Sequence, residues 1–206
     1  MGWEPEFIQQ GGSVMYILLG CSVIGVAVAL ERGFALRRNA VAPRRLLEAI
    51  GRLRGREDVE ALAGTSLLDD TPLGRVARVV VENRRRPRAE TEELMVVEGR
   101  RAATALERGL GLIEVVAVTA PLLGLLGTVI GMVEIFGSFT EAQGNLPQGI
   151  KKALYTTVAG LSLGIPMLTL HIFYSRRMER LAVLLEQASI TLLNRLYSRG
   201  GQEGGQ

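Results

Sequence analysis

One cysteine, one histidine and one tryptophan in 206 residues leave little material for chemistry. A lone Cys21 excludes a disulfide framework and any cysteine-rich metal site, and reads as a small apolar filler. A lone His171 excludes a histidine-cluster metal centre within one chain. No pairing of a nucleophile with a base stands out either, so no catalytic residue, metal, cofactor or enzyme activity is expected. Aromatic residues make up 5% of the chain, too few for a base-stacking platform, and acids interleave with the arginines. A nucleic-acid partner is therefore not expected. Lysine is nearly absent: Lys151 and Lys152 are the only two.

What the chain has in abundance is aliphatic sequence. Apolar residues reach 48%, and they are gathered into long blocks instead of being spread as in a globular domain. Ser13 to Leu30 is eighteen residues without a charge, enough to cross most of a bilayer as a helix. No Lys or Arg precedes it, and it ends in Glu31-Arg32 without a small-residue cleavage site, so it reads as a retained anchor, not a signal peptide. Residues 115–139 hold one acid, Glu134, and residues 153–174 hold only the titratable His171. The chain is thus expected to be an all-α membrane protein: three transmembrane helices (13–30, 115–139 and 153–174) with long cytoplasmic helical extensions.

Orientation follows from arginine. Residues 1–12 hold no basic residue, whereas 31–108 hold seventeen arginines and the stretch after Tyr174 holds five more. The positive-inside rule places 1–12 and the 140–152 link in the periplasm, and 31–114 and 175–206 in the cytoplasm. Within 31–108, Leu46, Leu47, Ile50 and Leu53 recur at helical spacing, and Asp70-Thr71-Pro72 has the form of a capped helix start. Val76, Val79 and Val80 then share a face until Pro87. No proline follows until Pro121, so one long helix is expected from Ala89 into the second span, with Leu94, Val97, Ala102, Ala105 and Leu106 as its apolar stripe. Met178, Leu181, Leu184, Leu185, Ala188, Leu192 and Leu196 continue a helix beyond the third span, and residues 200–206 read as a disordered tail.

The second span carries Gly124, Gly127, Thr128 and Gly131 within a sector of about 100°, and the third carries Ala153, Thr157, Gly160, Gly164 and His171 within about 60°. Pairs such as Gly127/Gly131 and Gly160/Gly164 pack helices closely in lipid, and three spans with such surface predict a homo-oligomer. The threonines on the same stripes leave two readings open: local backbone bonding, or a water-lined path. His171 reads as an interfacial amphipathic side chain, and the family resemblance given below adds a second reading, a proton exit at the inner end. At the outer end, Glu134, Lys151 and Lys152 lie at similar depth, where an intramembrane acid needs a partner or water. Glu134 either pairs with Lys152 or Lys151, which on the family resemblance given below would gate the outer pore mouth, or each group is solvated separately.

Gly124-Leu-Leu-Gly-Thr-Val-Ile-Gly131, followed by Gly149-Ile-Lys-Lys-Ala-Leu-Tyr-Thr-Thr-Val-Ala-Gly-Leu161 and Ile165-Pro166, resembles the ExbB/TolQ/MotA family of proton-channel subunits, closest to its ExbB/TolQ branch. The resemblance implies a homopentamer in the bacterial inner membrane whose second and third spans line a pore. It implies Thr128 and Thr157 as pore threonines, and Pro121 and Pro166 as span prolines. It implies an ExbD/TolR-like single-span dimer carrying an intramembrane aspartate, and a TonB- or TolA-like transducer driven by proton flow. The sequence departs at Lys152, where that branch usually has glutamate, and at His171-Ile172, where it has Tyr-Asn. A non-conducting scaffold of the same fold, or a Tol-Pal or gliding-type motor subunit, are the alternatives. Proton and sodium flow are not separated by sequence.

Overall fold

A computed structural model describes residues 12–137 and 146–198, with the side chain of Lys152 and those of residues 146–149 outside the description. The expectations for the N-terminal segment, for residues 138–145 of the outer link and for the 200–206 tail lie outside the described residues. All described regular structure is helical: α1 (Gly12–Ala35), α2 (Arg38–Val41), α3 (Arg44–Arg52), α4 (Arg56–Leu62), α5 (Pro72–Glu82), α6 (Arg88–Glu107), α7 (Leu110–Gly137) and α8 (Leu146–Tyr197). These divide into an apolar unit, Met1–Arg32 with Gly109–Tyr174, and a polar unit, Gly33–Arg108 with Ser175–Gln206.

The polar unit is assembled by local signals and a small aliphatic core. Thr71 caps α5 by accepting a hydrogen bond from the Gly74 amide (3.2 Å), with Pro72 in the first turn where no donor is required. Asp69 holds Thr71 in place, accepting from its hydroxyl (2.5 Å) and its amide (3.2 Å). Leu73, Val76, Val80 and Val81 of α5 are fully buried, whereas Val79 is only half-buried. Glu98 of α6 lies 3.5 Å from Arg75 of α5 and 3.5 Å from Arg101 on its own helix. The end of α8 is tied back by Tyr197, which donates to the Arg86 carbonyl (2.7 Å), and by Arg88, which donates to Asn194 (2.8 Å).

Two expectations for this region are corrected. The buried face of α6 is Thr91, Met95, Ala102 and Leu106, not a stripe through Leu94 and Val97, which are 37% and 44% exposed. Helical periodicity finds apolar residues at the right spacing but cannot say which of two adjacent stripes meets the core. Val96 instead lines a groove of about 500 Å³ with Gly99, Val183, Glu186 and Ile190. The single long helix is also interrupted: α6 ends at Glu107 and α7 begins at Leu110. Between them Gly109 adopts φ 86°, a left-handed backbone that breaks the helical ladder. Absence of proline was not enough to keep the helix continuous.

Among the described residues, three helices are long and apolar enough to cross a membrane. Only 28%, 33% and 28% of their most apolar stretches are buried within the chain. Ile17, Val23, Leu122, Val129, Leu154 and Ile165 are among the large aliphatics left on the surface. So much exposed apolar surface is compatible with lipid or protein neighbours and not with water. Inside, Ala29 of α1, Ile113, Val116 and Ala117 of α7 and Met167 of α8 form one cluster, against which Cys21 packs. Val14 and Leu18 of α1 meet Ala120 of α7 in a second. α8 begins at Leu146, so Lys151 and Lys152 are helical in backbone and directly precede the candidate span that starts at Ala153.

Where α1 ends, the Arg32 side chain is buried, pairs with Glu31, and brings its Nε against Gly109: a Cβ there would stand 3.2 Å from it. Gly109 is therefore required twice, by backbone angle and by space. Gly109→Ala should cost about 1–3 kcal/mol and lower the thermal midpoint of the detergent-solubilised chain by several degrees. Gly111→Ala, with nothing within 4 Å of its would-be Cβ, should leave the midpoint unchanged or raised. Equal midpoints for the two variants would refute the helix break.

Candidate functional site

The second and third spans meet through residues with almost no side chain. A Cβ on Gly124 would stand 2.8 Å from the Thr156 carbonyl oxygen and 3.0 Å from the Thr157 Cα; one on Gly160 would stand 2.5 Å from the Ala120 carbonyl oxygen. A Cβ on Gly131 would meet the Ala153 methyl at 2.9 Å, and one on Gly164 would meet Pro121 at 2.5 Å. Gly127 lies directly under the Thr156 side chain, whose Cβ would be 2.6 Å away. As position rises along α7 the contacting position falls along α8, so the two helices run antiparallel. The glycines of both stripes thus face each other within one chain, and their common effect is backbone contact.

That contact puts hydroxyls within reach of a carbonyl on the neighbouring helix. Thr157 donates to the Gly124 carbonyl oxygen at 3.1 Å. Thr156, only 2% exposed, donates to Ala153 of its own helix at 2.7 Å and reaches the same Gly124 oxygen at 3.2 Å. Thr128 donates to the Leu125 carbonyl one turn back, at 2.6 Å. Since Gly127 packs on Thr156, Thr128 lies level with Thr156 and Thr157, and three hydroxyls occupy one layer of the helix pair. Interhelical bonds from threonine are worth about 0.6 kcal/mol on average in membranes. The layer orients its hydroxyls more than it stabilises the fold.

Thr156 was not singled out by sequence, because Thr157 fits the small-residue stripe and Thr156 lies one residue aside from it. The helix pair centres its contact between the two, so Thr156 is the buried member and Thr157 the half-buried one at the edge. The available signal was Ala153-x-x-Thr156, a small residue followed three positions on by a hydroxyl.

At one end of the unit, Glu134 lines a cavity of about 30 Å³ with Ser13, Gly131, Ala153 and Thr156. That volume holds about one water molecule. Lys151 carries its ammonium 5.6 Å from the Tyr155 ring centroid, a cation–π distance. A pair between Glu134 and Lys152 lies outside the described residues. At the other end, His171 Nδ1 is 3.3 Å from the Leu110 carbonyl oxygen, just after the Gly109 break, and the Tyr174 hydroxyl donates to Ala29 of α1 at 3.0 Å. No cluster of three or more metal-ligating side chains occurs among the described residues.

Fold and site together define a multi-pass, all-helical membrane protein whose second and third spans are joined by a glycine–threonine seam. Residues 68–187 match the model of the MotA/TolQ/ExbB proton channel family, and the chain belongs to that family. Its relatives place it on the ExbB branch. A protein of Synechocystis named as ExbB-like 3, of biopolymer transport, is 31% identical over 188 residues, covering 86% of this chain and 88% of that one. An ExbB homolog of Methanothermobacter thermautotrophicus is 27% identical over 186 residues, and the chain spans 65% of its length. The biopolymer transport protein exbB1 of Vibrio cholerae is 36% identical over 93 residues, 41% of each chain.

The seam makes a direct prediction. Gly160→Ala must push a methyl into the Ala120 carbonyl, where backbone cannot yield cheaply, and should destabilise the helix pair by about 1–3 kcal/mol. Gly20→Ala, open within 4 Å, should not. Thermal unfolding followed by circular dichroism in detergent separates them; indistinguishable curves would remove close backbone contact as the basis of the seam.

Proposed function

We propose that this chain is the channel and stator subunit of an ion-driven motor. It sits in the bacterial inner membrane with its N-terminus in the periplasm, and works with an ExbD/TolR-like single-span dimer that carries an intramembrane aspartate. Five copies form the pore, with α7 and α8 lining it, and ion entry performs mechanical work on an envelope process through a TonB- or TolA-like transducer. The observation that carries this reading is the layer formed by Thr128 and Thr157, hydroxyls at the edge of a seam otherwise made of glycine, in a chain of a proton-channel family. In an apolar span a hydroxyl is the least costly group that interacts with a passing ion or acid. His171 is the inner proton exit, and Glu134 with Lys152 or Lys151 forms the outer mouth. The names of the relatives, ExbB-like proteins of biopolymer transport, support the same assignment.

One observation favours a second reading. Lys152 stands where the resemblance expects glutamate, so an outer acid is missing and the pentamer would be a non-conducting scaffold. Reconstitution with the partner decides. Thr128→Val and Thr157→Val should each reduce partner-dependent proton flux about three- to tenfold, the weight of one hydrogen bond, with the oligomer intact by native mass spectrometry. Normal flux in the double variant would make both threonines packing residues, and no flux from the unaltered complex would favour the scaffold.

A further inference from the structure

The first uncharged run closes on an arginine that the fold encloses. Arg32 is only 7% exposed, yet its Nε has no acceptor among the described residues. A buried donor without an acceptor is costly, and more so when it belongs to a charged group. Nε and Nη2 form the side-on fork with which arginine takes two oxygens of one oxyanion. Glu31 accepts from Nη2 alone, so only one prong of the fork is used. Glu31 is itself 60% exposed, and its carboxylate can exchange that nitrogen for water.

The same fork stands at the start of a long helix. Gly109 directly precedes α7, and a Cβ on it would lie 3.2 Å from Arg32 Nε, so glycine keeps that prong clear. The Ile113 amide closes onto the Gly109 carbonyl at 3.4 Å. The amides of Leu110, Gly111 and Leu112 come before it and have no acceptor within the helix. No acid stands in the first turn of α7, and a Cβ on Gly111 would meet nothing within 4 Å. A helix of 28 residues therefore presents the positive end of its dipole beside a guanidinium with a free prong. Each feature alone favours an oxyanion, and the two converge at Gly109.

We infer that Arg32 and the first turn of α7 form a binding site for a phosphate group, its oxygens shared between the Nε–Nη2 fork and the amides at the start of the helix. Glu31 competes for Nη2 and swings into water as the phosphate binds. Phosphate suits the site better than a carboxylate because its tetrahedral oxygens reach the fork and the amides together. Glu31-Arg32 ends the uncharged run of the first span, which puts the site at a membrane edge, at the depth of phospholipid headgroups. On the arginine asymmetry that edge is the cytoplasmic one. A soluble phosphate offers the same chemistry. Neither the fork nor the helix start depends on ion flow, so the site stands whether or not the chain conducts.

The test uses the full chain, delipidated in neutral detergent, with three probes: phosphatidylglycerol, inorganic phosphate, and diacylglycerol as the lipid without phosphate. Native mass spectrometry counts retained lipid, and thermal unfolding gives the midpoint. A phosphate-bearing probe should raise the midpoint by several degrees, and diacylglycerol should not. Arg32→Lys, a point charge without the fork, should weaken binding about tenfold or more. Glu31→Gln, which removes the competing carboxylate, should strengthen it several-fold. Gly111→Asp sets a carboxylate at the helix start without a clash, so it should weaken binding several-fold and leave the probe-free midpoint unchanged or raised. That variant decides the matter if Arg32→Lys does not fold. A response to phosphatidylglycerol alone assigns a headgroup, and a response to inorganic phosphate assigns a soluble ligand; either upholds the site. It is overturned if no phosphate probe binds, if diacylglycerol is held equally well, if Gly111→Asp binds as the unaltered chain does, or if Glu31→Gln weakens binding.

Discussion

The closeness of two backbones governs this structure. Where α7 and α8 cross at Gly124 and Gly160, a single Cβ on either glycine would enter a carbonyl oxygen of the other helix. Lipid offers no hydrophobic drive for helices to associate, so contact area and hydrogen bonds must supply it. Glycine gives the area by letting the backbones touch, and touching brings the Thr156 and Thr157 hydroxyls to the Gly124 carbonyl. The site is a consequence of the packing. A larger residue at Gly124 would lose the seam and the hydroxyl orientation together.

The ends of the apolar unit follow a different logic. At the Gly109 break the chain leaves α6 and enters α7 beside a buried arginine, Arg32, whose guanidinium also pairs with Glu31. His171 and Tyr174 then bond to the Leu110 and Ala29 carbonyls, so polar side chains of α8 meet backbone of α7 and of α1. Such bonds satisfy groups that would otherwise be costly near a bilayer core. At the opposite end, Glu134 borders a cavity of single-water size next to Thr156. The helix pair thus joins glycine contacts and threonine hydroxyls in its middle and carries further polar side chains at each end.

Much of this was legible in the sequence because hydropathy and glycine spacing are strong, local signals. The three apolar helices, the Thr71 cap and the two glycine stripes could be read directly. The Gly109 break was not, since a glycine in a helical stretch declares its φ only once Arg32 packs against it. The true face of α6 was hidden because Leu94 and Val97 are as apolar as the buried Met95 and Leu106. Thr156 was missed because an ideal 100° step places a contact stripe to no better than one neighbouring residue. The direction of each hydroxyl bond lies beyond sequence altogether, since it depends on which carbonyl the opposing helix delivers.

If the proposed function holds, the threonine layer borders a water-accessible path in the membrane. The most direct measurement is reaction with a water-soluble thiol reagent in membranes, in a Cys21→Ser background, at Thr128→Cys and Thr157→Cys. Gly99→Cys, in the groove of the polar unit, serves as the reactive reference. Reaction is expected at both threonine positions, reduced when the proposed acid-bearing partner covers them. Full protection of both positions without the partner, while Gly99→Cys reacts, would contradict it.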